Sequence, residues 1–117
     1  FRNKYLGTDQ VSVAFFGDGT TNIGAFHEAA NMAAALRLPV LFVCENNEYA
    51  EYTARERTMA IDDVVERAAA YGMAGTVVDG MDATAVYEAT AAALEAIRAA
   101  TDGQIMPNDF LTEPPSC

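Results

Sequence analysis

The chain has 117 residues, 51% of them hydrophobic, which is one domain's worth at most and enough apolar content to build a core rather than stay disordered. Its formal charge of −10 at pH 7 and isoelectric point near 4.2 argue against a nucleic-acid surface or an anionic membrane as partner. Any polyanion that binds here needs a metal ion or backbone N–H groups to offset the charge, because the seven Lys and Arg are scattered. Two cysteines make no disulfide framework, and Cys44 sits inside an apolar run as a small hydrophobe, so a reducing compartment is expected. No stretch resembles a secretory leader or reaches membrane-spanning length. With Phe1 in place of Met and structure starting almost at once, the sequence reads as a fragment.

Phe1 to Gln10 is polar and mixed, with a turn expected at Gly7. Val11 to Phe16 is β-branched and aromatic with little alternation, the pattern of a parallel strand covered on both faces. Gly17-Asp18-Gly19 ends it, on the expectation that glycine supplies the backbone freedom of a tight strand-to-helix corner. Thr20, Thr21 and Asn22 are read as capping residues for a helix from Gly24 to Arg37, with Phe26, Ala29, Ala30, Ala33 and Leu36 on one face and Pro39 as the stop. Val40 to Glu45 is the second buried strand and delivers Asn46-Asn47 at its carboxyl end.

Beyond it, Glu48 to Ala60 reads as a polar surface loop. A helix is predicted over Ile61 to Tyr71, with Asp62 and Asp63 in its first turn and Gly72 past its end. Gly75 to Asp79 is a short third strand. Asp82 is the expected N-cap of a long helix from Ala83 to Ala100, its buried stripe being Val86, Thr90, Ala93, Leu94 and Ile97. Thr101-Asp102-Gly103 ends that helix. Gln104 to Cys117, with three prolines and no periodicity, is expected to be irregular.

Strand, helix, strand with short corners is a right-handed parallel crossover by rule, so both carboxyl ends lie on one sheet edge. If the two strands are neighbours, they sit about 5 Å apart, and Asp18 and Asn47 can reach one hard cation. Asp18 alone is as compatible with an ordinary turn as with a ligand, and Asn pairs populate turns widely. The combination is the stronger signal: residues 20–45 separate the two, 26 in all, room for one helix and one strand. His27 has no second ligand at metal spacing and reads as packing or capping. Arg55 and Arg57 read first as a solvated cluster with Glu56, and only second as partners for a substrate anion.

These residues resemble a known family. Gly17-Asp18-Gly19, the 26-residue interval and Asn46-Asn47 match the thiamine diphosphate fingerprint. The surrounding text, from Phe-Phe-Gly-Asp-Gly-Thr-Thr-Asn (Phe15 to Asn22) to Val-Cys-Glu-Asn-Asn-Glu-Tyr-Ala (Val43 to Ala50), resembles the alpha subunit of the decarboxylating component of 2-oxo acid dehydrogenase complexes. Val78-Asp79-Gly80-Met81-Asp82 fits the next strand and corner of that family, and the likeness covers about residues 5 to 103.

The resemblance implies an α/β fold: a parallel sheet with helices on both faces, the diphosphate-binding domain of a thiamine diphosphate fold, here incomplete. Residues 1–103 would be that partial domain and 104–117 an irregular tail that does not match the family. The resemblance further implies that the side chains of Asp18 and Asn47, with the main-chain carbonyl of Tyr49, bind a magnesium ion (Mg2+). That ion would hold the cofactor's diphosphate, with Gly19 and Thr20 offering backbone contact to phosphate oxygens. Family enzymes decarboxylate pyruvate or a related 2-oxo acid on thiamine diphosphate and pass the acyl group to a lipoyl-bearing acyltransferase component.

The glutamate that activates the cofactor comes, in this family, from a separate beta subunit in an alpha2beta2 assembly. No catalytic residue is therefore expected on this chain, which would work in the bacterial cytoplasm or the mitochondrial matrix of a eukaryote. Two alternatives remain: a fragment of a single-chain decarboxylase or transketolase-like enzyme, and an inactive remnant that serves assembly only.

Overall fold

The computed structural model of the chain describes residues 1–101 and 109–112. A four-stranded parallel sheet carries the fold: β1 (Ser12–Gly17), β2 (Val40–Glu45), β5 (Ala74–Val77) and β6 (Asp109–Thr112), in the order β1-β2-β6-β5. Helices cover both faces, as expected. Alternation along β2 sorts the two cores. Phe42 and Cys44 point to the side of α2 (Gly24–Ala35) and α3 (Glu66–Ala70), packing with Phe26, Ala30, Ala33, Val64 and Ala68. Leu41 and Val43 point to α4 (Ala83–Thr101), where they meet Ala93, Leu94 and Ile97. Phe26 is the hinge of the first core, with Phe16, Phe42 and Tyr71 around its ring.

The strand expected to be covered on both faces is covered on one. Ala14 and Phe16 join the α2 core, but Val13 and Phe15 on the opposite face are 44% and 69% exposed, because the core under α4 gathers around β2 and takes in Val11 but neither of these two side chains. α2 stops at Ala35, two residues before the expected Arg37. The chain closes in a Schellman turn: Arg37 adopts φ 51, its N–H reaches Ala34 O at 3.0 Å, and Leu38 N–H reaches Ala33 O at 2.9 Å. The polar start of the chain contains a short helix, α1 (Arg2–Leu6), whose Lys4 donates to Leu36 O at the end of α2, where a cation is favoured.

The helix expected over 61–71 is cut to Glu66–Ala70 by a capping box. Asp63 Oδ1 accepts the Val65 N–H at 3.1 Å, while Glu66 Oε1 accepts the Asp63 N–H at 2.9 Å. Asp63 thus starts the helix from outside, while Glu66 opens its first turn. Gly72 follows the end at φ 70, as predicted. Asp82 caps α4 through the N–H groups of Thr84 and Ala85 at 2.9 and 3.1 Å. The third strand begins and ends slightly early, at Ala74 and Val77.

The largest correction concerns the tail. Residues 109–112 are not irregular: they form β6, in parallel register with β2 on one side and β5 on the other. Asp102-Gly103 and the rest of the predicted irregular tail lie outside the described residues. The segment after β2 is likewise not a plain loop. It folds into a hairpin, β3 (Tyr49–Ala50) and β4 (Thr53–Ala54), then a 3₁₀ turn over Arg55–Arg57. Among the described residues no helix is long and apolar enough to cross a membrane.

Candidate functional site

β1 and β2 are direct neighbours in register from Ser12↔Val40 to Gly17↔Glu45, so their carboxyl ends finish level on one sheet edge. There Gly17, Asp18, Gly19, Thr20, Ile23, Glu45, Asn47, Tyr49, Ala50 and Glu51 line an open cleft of about 500 Å3. Every residue singled out from the sequence for the metal and cofactor site, Asp18, Gly19, Thr20, Asn47 and Tyr49, is on its wall.

Asp18 opens a 3₁₀ turn, Asp18–Asn22, and is 1% exposed. Its Oδ1 is buried without a hydrogen-bond partner among the described residues. An unpartnered buried carboxyl oxygen costs free energy unless a ligand answers it. The turn is pinned from within by Thr21, fully buried, whose hydroxyl donates to Asp18 O at 2.7 Å. None of Thr20, Thr21 and Asn22 caps α2, contrary to expectation: the helix starts after Ile23 with no side-chain cap. The reason is that Thr21 bonds inside its own turn, while Asn22 Oδ1 accepts from Arg67 at 2.7 Å.

Neither glycine of the motif serves an unusual dihedral, and Gly19 serves space. Gly17 is extended, at φ −82 and ψ 159, and neither it nor Gly19 has positive φ. A Cβ at Gly19 would lie 2.5 Å from Ala50 Cβ, so glycine is what lets the hairpin close down on the Asp18 turn. That contact makes the cleft.

On the β2 side, Asn46 and Asn47 part company. Asn46 is 6% exposed and its Oδ1 accepts the Glu48 N–H at 3.3 Å; Asn47 is exposed on the cleft and its Oδ1 accepts the Tyr49 N–H at 3.0 Å. An amide oxygen has two lone pairs, so Asn47 keeps one for a ligand. The hairpin register sets the Tyr49 carbonyl. Arg55 N–H bonds Glu48 O at 2.8 Å, which makes Tyr49↔Ala54 the non-hydrogen-bonded pair. The peptide groups of Tyr49 therefore face away from β4, toward the side where its N–H meets Asn47.

The candidate donor set would be one carboxylate, one amide oxygen and one main-chain carbonyl, on a wall that also carries Glu45 and Glu51 and has no Lys, Arg or His. Among the described residues no three His, Cys, Asp or Glu side chains gather into a metal cluster. Such a set fits magnesium, which is held through one or two carboxylates and completes its shell with water and phosphate oxygens. It does not fit zinc, which wants nitrogen and sulfur.

Arg55 lies behind the cleft and pairs with Glu48 at 3.2 Å, not with Glu56; a second donor reaches Asp62 O. It fastens the hairpin base. His27 is a packing residue as expected, between Phe26, Tyr71 and Arg67. Arg67 was not singled out from the sequence, where it reads as an ordinary helix charge, yet it touches the Asp18 turn from 46 residues away.

Residues 1–106 match the family described as dehydrogenase E1 component. The chain belongs to that family. It is 54% identical over 95 residues to the alpha subunit of acetoin:2,6-dichlorophenolindophenol oxidoreductase from Bacillus subtilis, covering 81% of this chain and 28% of that protein. It is 47% identical over 98 residues to the pyruvate dehydrogenase E1 component subunit alpha of Rhizobium meliloti, covering 84% and 28%. The chain thus spans less than a third of the curated relatives it matches. Among solved structures, a transketolase from Pichia stipitis aligns with 91% of the chain and 15% of its own length at TM-score 0.70 and 24% identity, a likeness of fold.

Proposed function

We propose that this chain forms the magnesium- and diphosphate-binding part of the alpha subunit of a thiamine diphosphate-dependent dehydrogenase, one that acts on pyruvate or a related 2-oxo acid. The observation that carries the reading is Asp18: a buried, unpartnered carboxyl oxygen at the sheet edge where Asn47 and the Tyr49 carbonyl also face. The family match and the alpha-subunit relatives support it.

In this reading Asp18, Asn47 and the Tyr49 carbonyl hold the magnesium ion. Gly19 and Thr20 present main chain to the phosphate oxygens, close enough because Gly19 has no Cβ. The acidic wall of Asp18, Glu45 and Glu51 repels a bare diphosphate, so the ion is an obligate bridge. The hairpin forms one side of the cleft through Tyr49, Ala50 and Glu51. When bound, thiamine diphosphate supplies the electron sink that decarboxylation of a 2-oxo acid needs. No residue of this chain is assigned the activating acid–base role. A beta subunit brings that glutamate in an alpha2beta2 assembly, and a lipoyl-bearing acyltransferase accepts the acyl group. The alpha-subunit kinship favours this two-chain arrangement over a single-chain transketolase-like enzyme.

The test is an equilibrium titration of thiamine diphosphate into the full-length protein with its beta partner, followed by intrinsic fluorescence, with magnesium and then with a chelator. Saturable binding only with the metal is expected. Equal binding in chelator overturns the metal assignment; no binding under either condition favours an assembly-only remnant.

A further inference from the structure

Arg67 lies outside the cleft and touches none of the groups assigned to the ion or the diphosphate, yet it ties α3 to the turn that carries Asp18. Its Nη1 donates to the main-chain O of Thr21 at 2.7 Å and to His27 Nε2 at 3.1 Å; its Nη2 donates to Asn22 Oδ1 at 2.7 Å. A guanidinium can only donate, so His27 Nε2 accepts, and the ring proton sits on Nδ1 against the Tyr71 hydroxyl. Thr21 completes the link through its buried hydroxyl on Asp18 O. Two steps lead from the guanidinium to the backbone of Asp18.

The anchor at the other end is firm. The Asp63–Glu66 capping box fixes where α3 starts. Val64 and Ala68 are buried beneath it, and β5 passes so close that a Cβ on Gly75 would come within 2.5 Å of Val65 Cγ2. Arg67 Nε is also buried and has no partner among the described residues; the bonds to the turn and to His27 come from the two terminal nitrogens.

We propose that Arg67 is a positioning residue for the cation site: it holds the 18–22 turn in the form that keeps Asp18 Oδ1 buried and unpartnered, ready for the ion. The inference rests on the magnesium–diphosphate reading of the cleft. Released from Arg67, the turn relaxes until that oxygen finds water or a main-chain donor, which removes the desolvation cost of the orphan. The cation then has to displace the new partner. The loss falls on metal affinity, and saturating metal recovers it.

Two readouts on the full-length protein with its beta partner test this. One is calorimetric titration of magnesium in the presence of thiamine diphosphate; the other is hydrogen–deuterium exchange of the 18–22 amides in the metal-free protein. Arg67→Ala is expected to weaken magnesium binding by about 10- to 100-fold, the range for groups that orient metal ligands, and to speed exchange in the turn. Arg67→Lys, with one donor group in place of a fork, should fall between Ala and wild type. Asn22→Ala, an exposed change that removes one acceptor and leaves the fold alone, should weaken magnesium a few-fold, in the same direction. Unchanged magnesium affinity in Arg67→Ala and Asn22→Ala, with wild type still metal-dependent, overturns the role of Arg67 alone. Wild-type cofactor binding that ignores magnesium overturns the metal reading and this inference with it.

Discussion

At the end of β1 the chain is buried and gripped from several sides; at the end of β2 it stands in solvent. Asp18 and Thr21 are almost wholly enclosed, and the turn between them is tied to α3 through Arg67. Across the cleft, Asn47 and Tyr49 are exposed, and Tyr52 at the hairpin tip is 97% exposed. The first half holds the buried carboxylate of the wall and carries an unmet oxygen as the cost. The second half offers the neutral oxygens of Asn47 and Tyr49 from a segment that local Asx turns keep in shape, beside the exposed acids Glu45 and Glu51. Under the proposed function, a site divided in this way would set affinity on the stiff side and admit its ligand on the soft side.

The largest effect should come from the stiff side. Asp18→Ala is expected to weaken magnesium-dependent binding of thiamine diphosphate by about 100-fold or more, about 2.8 kcal/mol. The same change should leave the metal-free protein melting no lower than wild type, because it removes a buried group that lacks a partner. Differential scanning calorimetry in chelator checks that second half; a clear drop would mean that Asp18 is satisfied in a way the contacts here do not show. Asn47→Ala should cost less, about 30-fold or 2 kcal/mol in the same titration, since a neutral ligand and a turn acceptor are lost from a region that can readjust.

Smaller still is the effect of forcing the two halves apart. Gly19→Ala should weaken cofactor binding about tenfold, or 1.4 kcal/mol, by pushing Ala50 and the hairpin outward. Adding Ala50→Gly should restore most of it, because the clash is between those two Cβ positions. A double variant no better than the single one would place the cause in the backbone of the turn. Tyr49→Phe should change affinity less than twofold, about 0.4 kcal/mol, since only the main chain of Tyr49 is assigned a role; a larger loss would move that role to the phenol.

The β1–α2–β2 crossover and the residues at its edge were legible in the sequence because apolar runs, helix periodicity and oxygen-bearing turns all lie within one contiguous stretch. What escaped notice depended on distance or on local competition. Arg67 reads as a routine helix charge until the fold brings it to Thr21. The helix expected from Ile61 is shortened because Asp63 accepts the Val65 N–H while Glu66 accepts the N–H of Asp63, a pairing visible in the residues but outweighed by the apolar spacing around it. β6 offered only Phe110 and Leu111 between polar neighbours and prolines, too short a signal to stand against the breakers around it. The turn freedom expected of the glycines is not what Gly19 provides: its backbone has no positive φ, and its lack of a Cβ permits close approach to Ala50.

β1 has one more consequence, for the behaviour of the chain in a test tube. Among the described residues it pairs only with β2, so one of its edges presents free ladder positions beside the exposed rings and branches of Phe15 and Val13. An uncovered edge flanked by apolar side chains is a template for a strand from another molecule. Handled by itself, the 117-residue chain should self-associate as its concentration rises, and a lysine at position 15 is the simplest way to keep it in dilute, monodisperse form.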